Sequence, residues 1–374
     1  MITLDQWRRL DDDGRLRYAQ ALAAAIGADR YELTWPATAH RVIRVARFTV
    51  RGRDFVLVPG GTARLGFDAG RFEPTRAEMG SFLGDDVELW RREDDDEPEP
   101  EPTPDPWLQQ VPVIPGQEAL FPWEPSDLPS APASPPLVAG PDVPWRAADE
   151  DLARLREFMA ARLTAPRTVT MPTLLVGVEF VQAGRAEVPV DHPAVVARFE
   201  ACEWPPGALG WDTGWIGEDN RGTYTAARFE GGRLARAWTD SYVTFDEVVA
   251  GLAADGRRLP SPDEYEYMTG LGSGHLFAWG DRMAEPPDLD LVTGLRRPTG
   301  YFPELTGVRA EVRGSDWGEA ACGGYGDFHN TIMWAPAYRN AEVVAGEAGI
   351  DGVRARVYRP VFEAPQVNIL TFEG

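Results

Sequence analysis

The stretch from Val243 to Asp281, VTFDEVVAGLAADGRRLPSPDEYEYMTGLGSGHLFAWGD, constrains the fold more tightly than any other part of the chain. It contains two successive helix starts, each written as a Ser or Thr followed three residues later by Glu. That spacing lets the hydroxyl cap one backbone N–H while the carboxylate reaches back to another. Thr244 and Glu247 form the first pair, with Val248, Val249 and Leu252 expected on the inner face and Gly256 as the stop. Ser261 and Glu264 form the second, with Pro262 at the first helical position, where a missing N–H costs nothing. A glycine turn and an aromatic Trp279-Gly280-Asp281 corner follow. Two short helices held so close together leave room for a turn-rich domain and little for a long helical bundle.

The rest of the chain has the same character. Its 374 residues include 33 prolines, 38 glycines and 13 tryptophans, a composition suited to irregular connections pinned by large aromatic side chains. Near the N-terminus, Thr3 and Gln6 have capping-box spacing, and a second helix is expected from Gly14 to a glycine stop at Gly27. The run RVIRVARFTVRGRDFVLVPGGTARLGF predicts a hairpin turning at RGRD, with Gly60 and Gly61 allowing a sharp turn after the second strand. DEDLARLREFMAARL predicts a helix with Leu152, Leu155, Phe158, Met159 and Leu163 on one stripe, and TVTMPTLLVGVEFVQAG reads as buried strand. Short strands and ordered loops are expected between Ala201 and Tyr242.

From Glu93 to Trp145 periodicity disappears and proline and acidic residues dominate, so this segment reads as an insertion that cannot bury much of itself. An alternative is a tether that clasps a partner chain through Trp107, Phe121, Trp123 and Trp145. The formal charge of −22 argues against a nucleic-acid backbone or an anionic membrane as partner. Two cysteines, Cys202 and Cys322, make no disulfide framework and no zinc pattern, and no stretch has the length and apolarity of a membrane span. The expectation is a cytoplasmic protein with an N-terminal helical segment over residues 1–30 and a single domain over 31–374, interrupted at 93–145.

Arg258-Leu259-Pro260, Glu264, Glu266-Tyr267 and Trp279-Gly280-Asp281 occur in the order of a longer signature, "G.RLPT..EWEYAARGG….YPWGD". The chain thereby resembles the formylglycine-generating enzyme and sulfatase-modifying-factor family, with Tyr265 where that family usually has tryptophan. FVLVPGGTARLGF resembles the family's opening segment, and VRGSDWGEAACGG followed by APAYRN resembles its closing one. The resemblance covers roughly Phe55 to Phe362 and implies an α+β domain with an irregular C-type-lectin-like fold: short strands, few helices and much loop.

The family's chemistry does not carry over with the scaffold. The resemblance implies a copper-binding cysteine pair after the RGGS element, but Glu319 lies near the first position and Ala335 at the second, counted back from Tyr338-Arg339. Cys322 stands alone, and copper(I) needs soft thiolate ligands. In a second branch of the family, sulfoxide synthases, three histidines bind iron; here His40, His192, His275 and His329 are scattered, so no metal site is assigned. The calcium element GN.WEW is missing as well, which leaves Asp281, Asp288 and Asp290 as an acidic loop rather than a cation site.

What remains is a local cluster in the segment that lines the family's cleft. Trp317, Glu319, Tyr325, Trp334 and Arg339 are the candidate ligand contacts. The expected function is a module that binds a peptide, protein or small-molecule ligand on a lectin-like scaffold; no cofactor is assigned. The alternative is an oxygen- or thiol-dependent tailoring enzyme in which Cys322 acts with His329 or Asp316.

Overall fold

The computed structural model describes residues 2–35, 43–83, 147–193, 195–197, 213–218, 224–230, 233–240, 243–283, 293–295, 303–309, 311–315, 327–339 and 357–367. The 93–145 segment lies outside them. The described residues form a mixed α+β structure of several small sheets and short helices. None of these helices is long and apolar enough to cross a membrane.

The largest sheet is antiparallel and runs in the order Arg30–Thr34, Val45–Val50, Arg53–Val58, Leu174–Gly177, Val361–Glu363. Its middle is the expected hairpin, turning at Arg51 and Gly52 with Val50 opposite Arg53. Phe55, Val56, Leu57, Val58, Leu174, Leu175 and Val176 are all buried, so both faces of this part of the sheet are covered. One cover is the N-terminus: Trp7, Tyr18 and Leu22, from the helices Leu4–Arg9 and Asp12–Ile26, join the same apolar cluster as Phe48 and Phe55. The first residues of the chain are also woven in, since Leu4 N–H donates to the Gly60 carbonyl at 2.8 Å and Gly60 N–H to the Ile2 carbonyl at 3.0 Å.

A second cluster is rich in aromatic side chains. Phe67, Phe72, Phe82, Phe277 and Phe328 meet Leu155, Met159 and Leu163, with Phe82 and Phe328 edge to face at a centroid distance of 5.9 Å. A third, smaller cluster holds Phe245, Val248, Leu252, Leu259, Leu305 and Val312. A four-stranded antiparallel sheet, ordered Arg185–Val188, Arg233–Asp240, Tyr224–Glu230, Thr213–Glu218, accounts for the predicted strand-rich region.

Three details differ from expectation. The second helix begins at Asp12, capped by Asp11 through the Gly14 N–H at 2.7 Å, two residues before Gly14. The predicted buried strand from Thr168 to Gly184 is three strands, Arg167–Met171, Leu174–Gly177 and Val181–Gln182; Pro172 separates the first two because it has no N–H to continue a ladder, and the first pairs, among the described residues, with Gly61–Leu65. Val249 faces solvent at 40% exposure, while Val248 and Leu252 are buried, so the stripe on the Phe245–Ala254 helix is narrower than predicted.

Candidate functional site

The Pro262–Gly270 helix, PDEYEYMTG, organises the region that the sequence singles out. Its capping box forms as expected, with Ser261 Oγ accepting from Glu264 N–H at 3.1 Å and Glu264 Oε2 accepting from Ser261 N–H at 2.7 Å. Every residue from Glu264 to Gly270 is buried, although the sequence of the helix is largely polar. Each polar group therefore needs a partner elsewhere.

Some of those partners are local and others come from distant parts of the chain. Glu264 takes a two-armed bond from Arg258, 2.6 Å at each oxygen, which raises the Arg258 pKa. Glu266 accepts from the Gly66 N–H, from Thr164 Oγ1 at 2.9 Å and from Arg167 at 2.9 Å. Gly66 adopts φ 82°, and a Cβ there would run into the Ala165 carbonyl, so the close approach that lets its N–H meet Glu266 requires glycine. The Tyr267 hydroxyl donates to the Pro59 carbonyl at 2.7 Å, and its pKa is pushed up to about 12 by burial. Burial pushes Tyr265 well above the ordinary phenol range, and nearby Glu304 adds to the rise against Arg359 and Arg313.

Behind Tyr265 lies a fully buried ion pair. Arg359 Nε donates to both Glu304 oxygens, at 3.1 and 2.9 Å, and its Nη1 donates to the Val178 carbonyl at 2.5 Å. Burial raises the Glu304 pKa above 4.5, against the pull of Arg359. Arg313, the arginine of Arg313-Gly314-Ser315, bonds Glu311 at 2.8 Å and the Tyr338 carbonyl at 3.0 Å, so the two closing segments hold each other directly.

The Trp-Gly-Asp corner is equally tied. Trp279 stacks on Phe277 at 4.8 Å, and Asp281 accepts from Leu276 N–H at 2.7 Å and contacts the exposed His275 ring nitrogen at 3.1 Å. Glu78, absent from the sequence-based candidates, completes the corner. It closes a capping box with Thr75 and also accepts from Met283 N–H at 2.8 Å. The Thr75-x-x-Glu78 spacing was the available signal.

Of the candidate site residues, His329, Trp334 and Arg339 are described; Cys322, Asp316, Trp317, Glu319 and Tyr325 lie outside the described residues, as do Asp288 and Asp290. His329 sits on the Asp327–Ile332 helix with its ring stacked on Phe82 at 5.6 Å and edge-on to Phe158 at 4.5 Å. Arg162 covers the Phe158 ring at 4.0 Å. Trp334 is half-buried against the aromatic cluster, Ala335 is buried in it, and Arg339 is exposed, held by its N–H to the Arg162 carbonyl at 2.9 Å. Thus Trp334 and Arg339 share one short exit from the helix, and His329 is packed into the aromatic wall beneath it.

A shallow recess opens between Gly66, Glu266, Gly272, His275 and Pro336. Its cavity volume of about 10 Å³ is room for a single water molecule. Among the described residues no group of three or more His, Cys, Asp or Glu is arranged to hold a metal ion. No protein-family profile, no curated protein sequence and no solved structure matches the chain.

Proposed function

We propose that the chain is a divergent, non-oxidising member of the formylglycine-generating enzyme and sulfatase-modifying-factor family. In this reading its C-type-lectin-like scaffold serves in the cytoplasm as a binding module. One observation carries the proposal. Ala335, where the resemblance expects the second copper-binding cysteine, is a buried methyl in an aromatic cluster and offers no atom that copper(I) could use.

The way the resembling segments hold one another supports the same reading. Arg258, Glu264, Glu266 and Asp281 are all engaged in tying backbone and side chains together, and Arg313 joins the two closing segments. Residues so engaged serve the scaffold, and a scaffold outlasts the loss of one chemistry. His329, wedged against Phe82 and Phe158, fits an aromatic wall better than a mobile base. Half-buried Trp334 beside exposed Arg339 has the composition of a recognition surface, with a peptide or protein as the ligand.

Panning a random peptide library over the immobilised chain tests this. The expected result is a consensus peptide whose affinity falls roughly tenfold or more in Arg339→Ala, an exposed position, with little change in melting temperature. A consensus bound equally well by the variant contradicts the proposed surface.

A further inference from the structure

At one end of the largest sheet three arginines converge in a chain whose net charge is −22. The hairpin turn places Arg51 and Gly52 at φ 51° and 73°, the mirror-image two-residue turn that matches strand twist. Asn, Asp or Gly usually fills the first of these positions, and a side chain as long as arginine holds that backbone at a cost of about 1–2 kcal/mol. Arg53 and Phe55 then point to the same face of their strand by simple alternation. Over the Phe55 ring, with its guanidinium carbon 5.0 Å from the centroid, lies Arg257.

Arg257 is positioned by the end of the Phe245–Ala254 helix, where its N–H donates to the Leu252 carbonyl at 2.9 Å. Its side chain keeps only 7% of its exposure, yet its guanidinium donates no hydrogen bond among the described residues. Its ion pair there is a loose one, 3.9 Å to Oδ2 of Asp255, whose own side chain is 55% exposed. A guanidinium with five donors is rarely buried without a fork of acceptors. Arg51 and Arg53 are exposed and form no ion pair among the described residues. Burial lowers the Arg257 pKa; Asp255 opposes this, and the charges of Arg53 and Arg51 add to it. Tyr358, half-buried, lies in the field of both Arg53 and Arg257, which oppose the upward push of burial on its hydroxyl.

We propose that Arg51, Arg53 and Arg257 form a binding site for a phosphoryl dianion, free or carried as a phosphate monoester. The charges select this class. Three guanidiniums less the Asp255 carboxylate leave two positive charges, trimmed by about half a charge from the helix C-terminus. A phosphate monoester carries about −1.5 to −2 near neutral pH and offers three acceptor oxygens, whereas a carboxylate neutralises one charge at most. Guanidinium forks match phosphate oxygens in pairs, and the buried Arg257 supplies donors already held in place by the Phe55 ring. The site shares no residue with the surface around Trp334.

Isothermal titration of the full chain at constant ionic strength, with inorganic phosphate, O-phosphoserine and acetate as separate titrants, tests the site. Saturable binding of phosphate or phosphoserine is expected, at least about tenfold tighter than acetate. Tighter binding of phosphoserine than of inorganic phosphate assigns the site to a monoester; equal or weaker binding assigns it to the free anion. Arg51→Ser with Arg53→Ser, both on the surface, is expected to weaken that binding at least about tenfold without lowering the melting temperature, since their charges repel Arg257. Absence of saturable phosphate or phosphoserine binding, binding no tighter than acetate, or affinity unchanged in the double variant overturns the proposal.

Discussion

The helices Phe245–Ala254 and Pro262–Gly270 are neighbours in sequence, begin with the same kind of capping box, and are stabilised in opposite ways. The Phe245–Ala254 helix is apolar in composition, FDEVVAGLAA, yet buries only Phe245, Val248 and Leu252 and leaves its capping Glu247 in solvent. The Pro262–Gly270 helix is polar in composition, PDEYEYMTG, and is buried from Glu264 onward. The difference teaches that burial here is decided by the supply of partners. Arg258, Gly66, Thr164, Arg167 and the Pro59 carbonyl are waiting where the polar helix docks. Among the described residues the apolar helix has its narrow stripe and one arginine, Arg309, which bonds Asp246 and lies over the Phe245 ring at 5.1 Å, so most of it stays at the surface.

The sharpest way to break this contrast is to remove a charge behind the buried helix. Arg359→Met leaves Glu304 buried without its counter-charge and is expected to cost about 3–5 kcal/mol at neutral pH in urea unfolding. The loss carries a pH signature. Burial already raises the Glu304 pKa, and without Arg359 it rises further. A carboxyl raised in the folded state binds more protons folded than unfolded, so stability is fully present below the unfolded value of 4.5 and is lost as pH rises through the folded value. The deficit of the variant should therefore shrink as pH falls toward 4.5; a deficit that grows on acidification would contradict the assignment.

Glu266→Ala comes next. It strands the Gly66 N–H and the Thr164 hydroxyl while half-exposed Arg167 can turn to water, so about 2–3 kcal/mol is expected. The two caps give the smallest and most direct comparison. Ser261→Ala is expected to cost about 1 kcal/mol and Thr244→Ala about 0.5, because the Thr244 box lies in solvent, where water can replace the lost bond. Equal losses from the two caps would erase the distinction between the helices.

What the sequence made legible was local. Thr3 with Gln6, Thr244 with Glu247 and Ser261 with Glu264 lie three residues apart, and each box forms as spaced. The hairpin at Arg51 and Gly52 was likewise written in adjacent residues. The strand break follows from Pro172, which has no N–H for a ladder, and the exposure of Val249 differs from the pattern because apolar side chains alone do not say which face will find a neighbour. The partners of Glu266 and Glu304 were not legible at all, since Gly66 and Arg359 reach them from remote segments. At the candidate site, the aromatic character around His329 could be read, but its stacking on Phe82 and Phe158 joins three separate helical segments and could not.

In the proposed reading, the motif-bearing residues hold a scaffold that lacks the oxidising chemistry of the family it resembles. Incubating the purified chain with copper(I), oxygen and a cysteine-containing sulfatase-type peptide, and following the peptide by mass spectrometry, tests it most directly. The account predicts an unmodified cysteine, because buried Ala335 stands where the resemblance expects a thiolate. Conversion of that cysteine to an aldehyde, with stoichiometric copper on the protein, would contradict it.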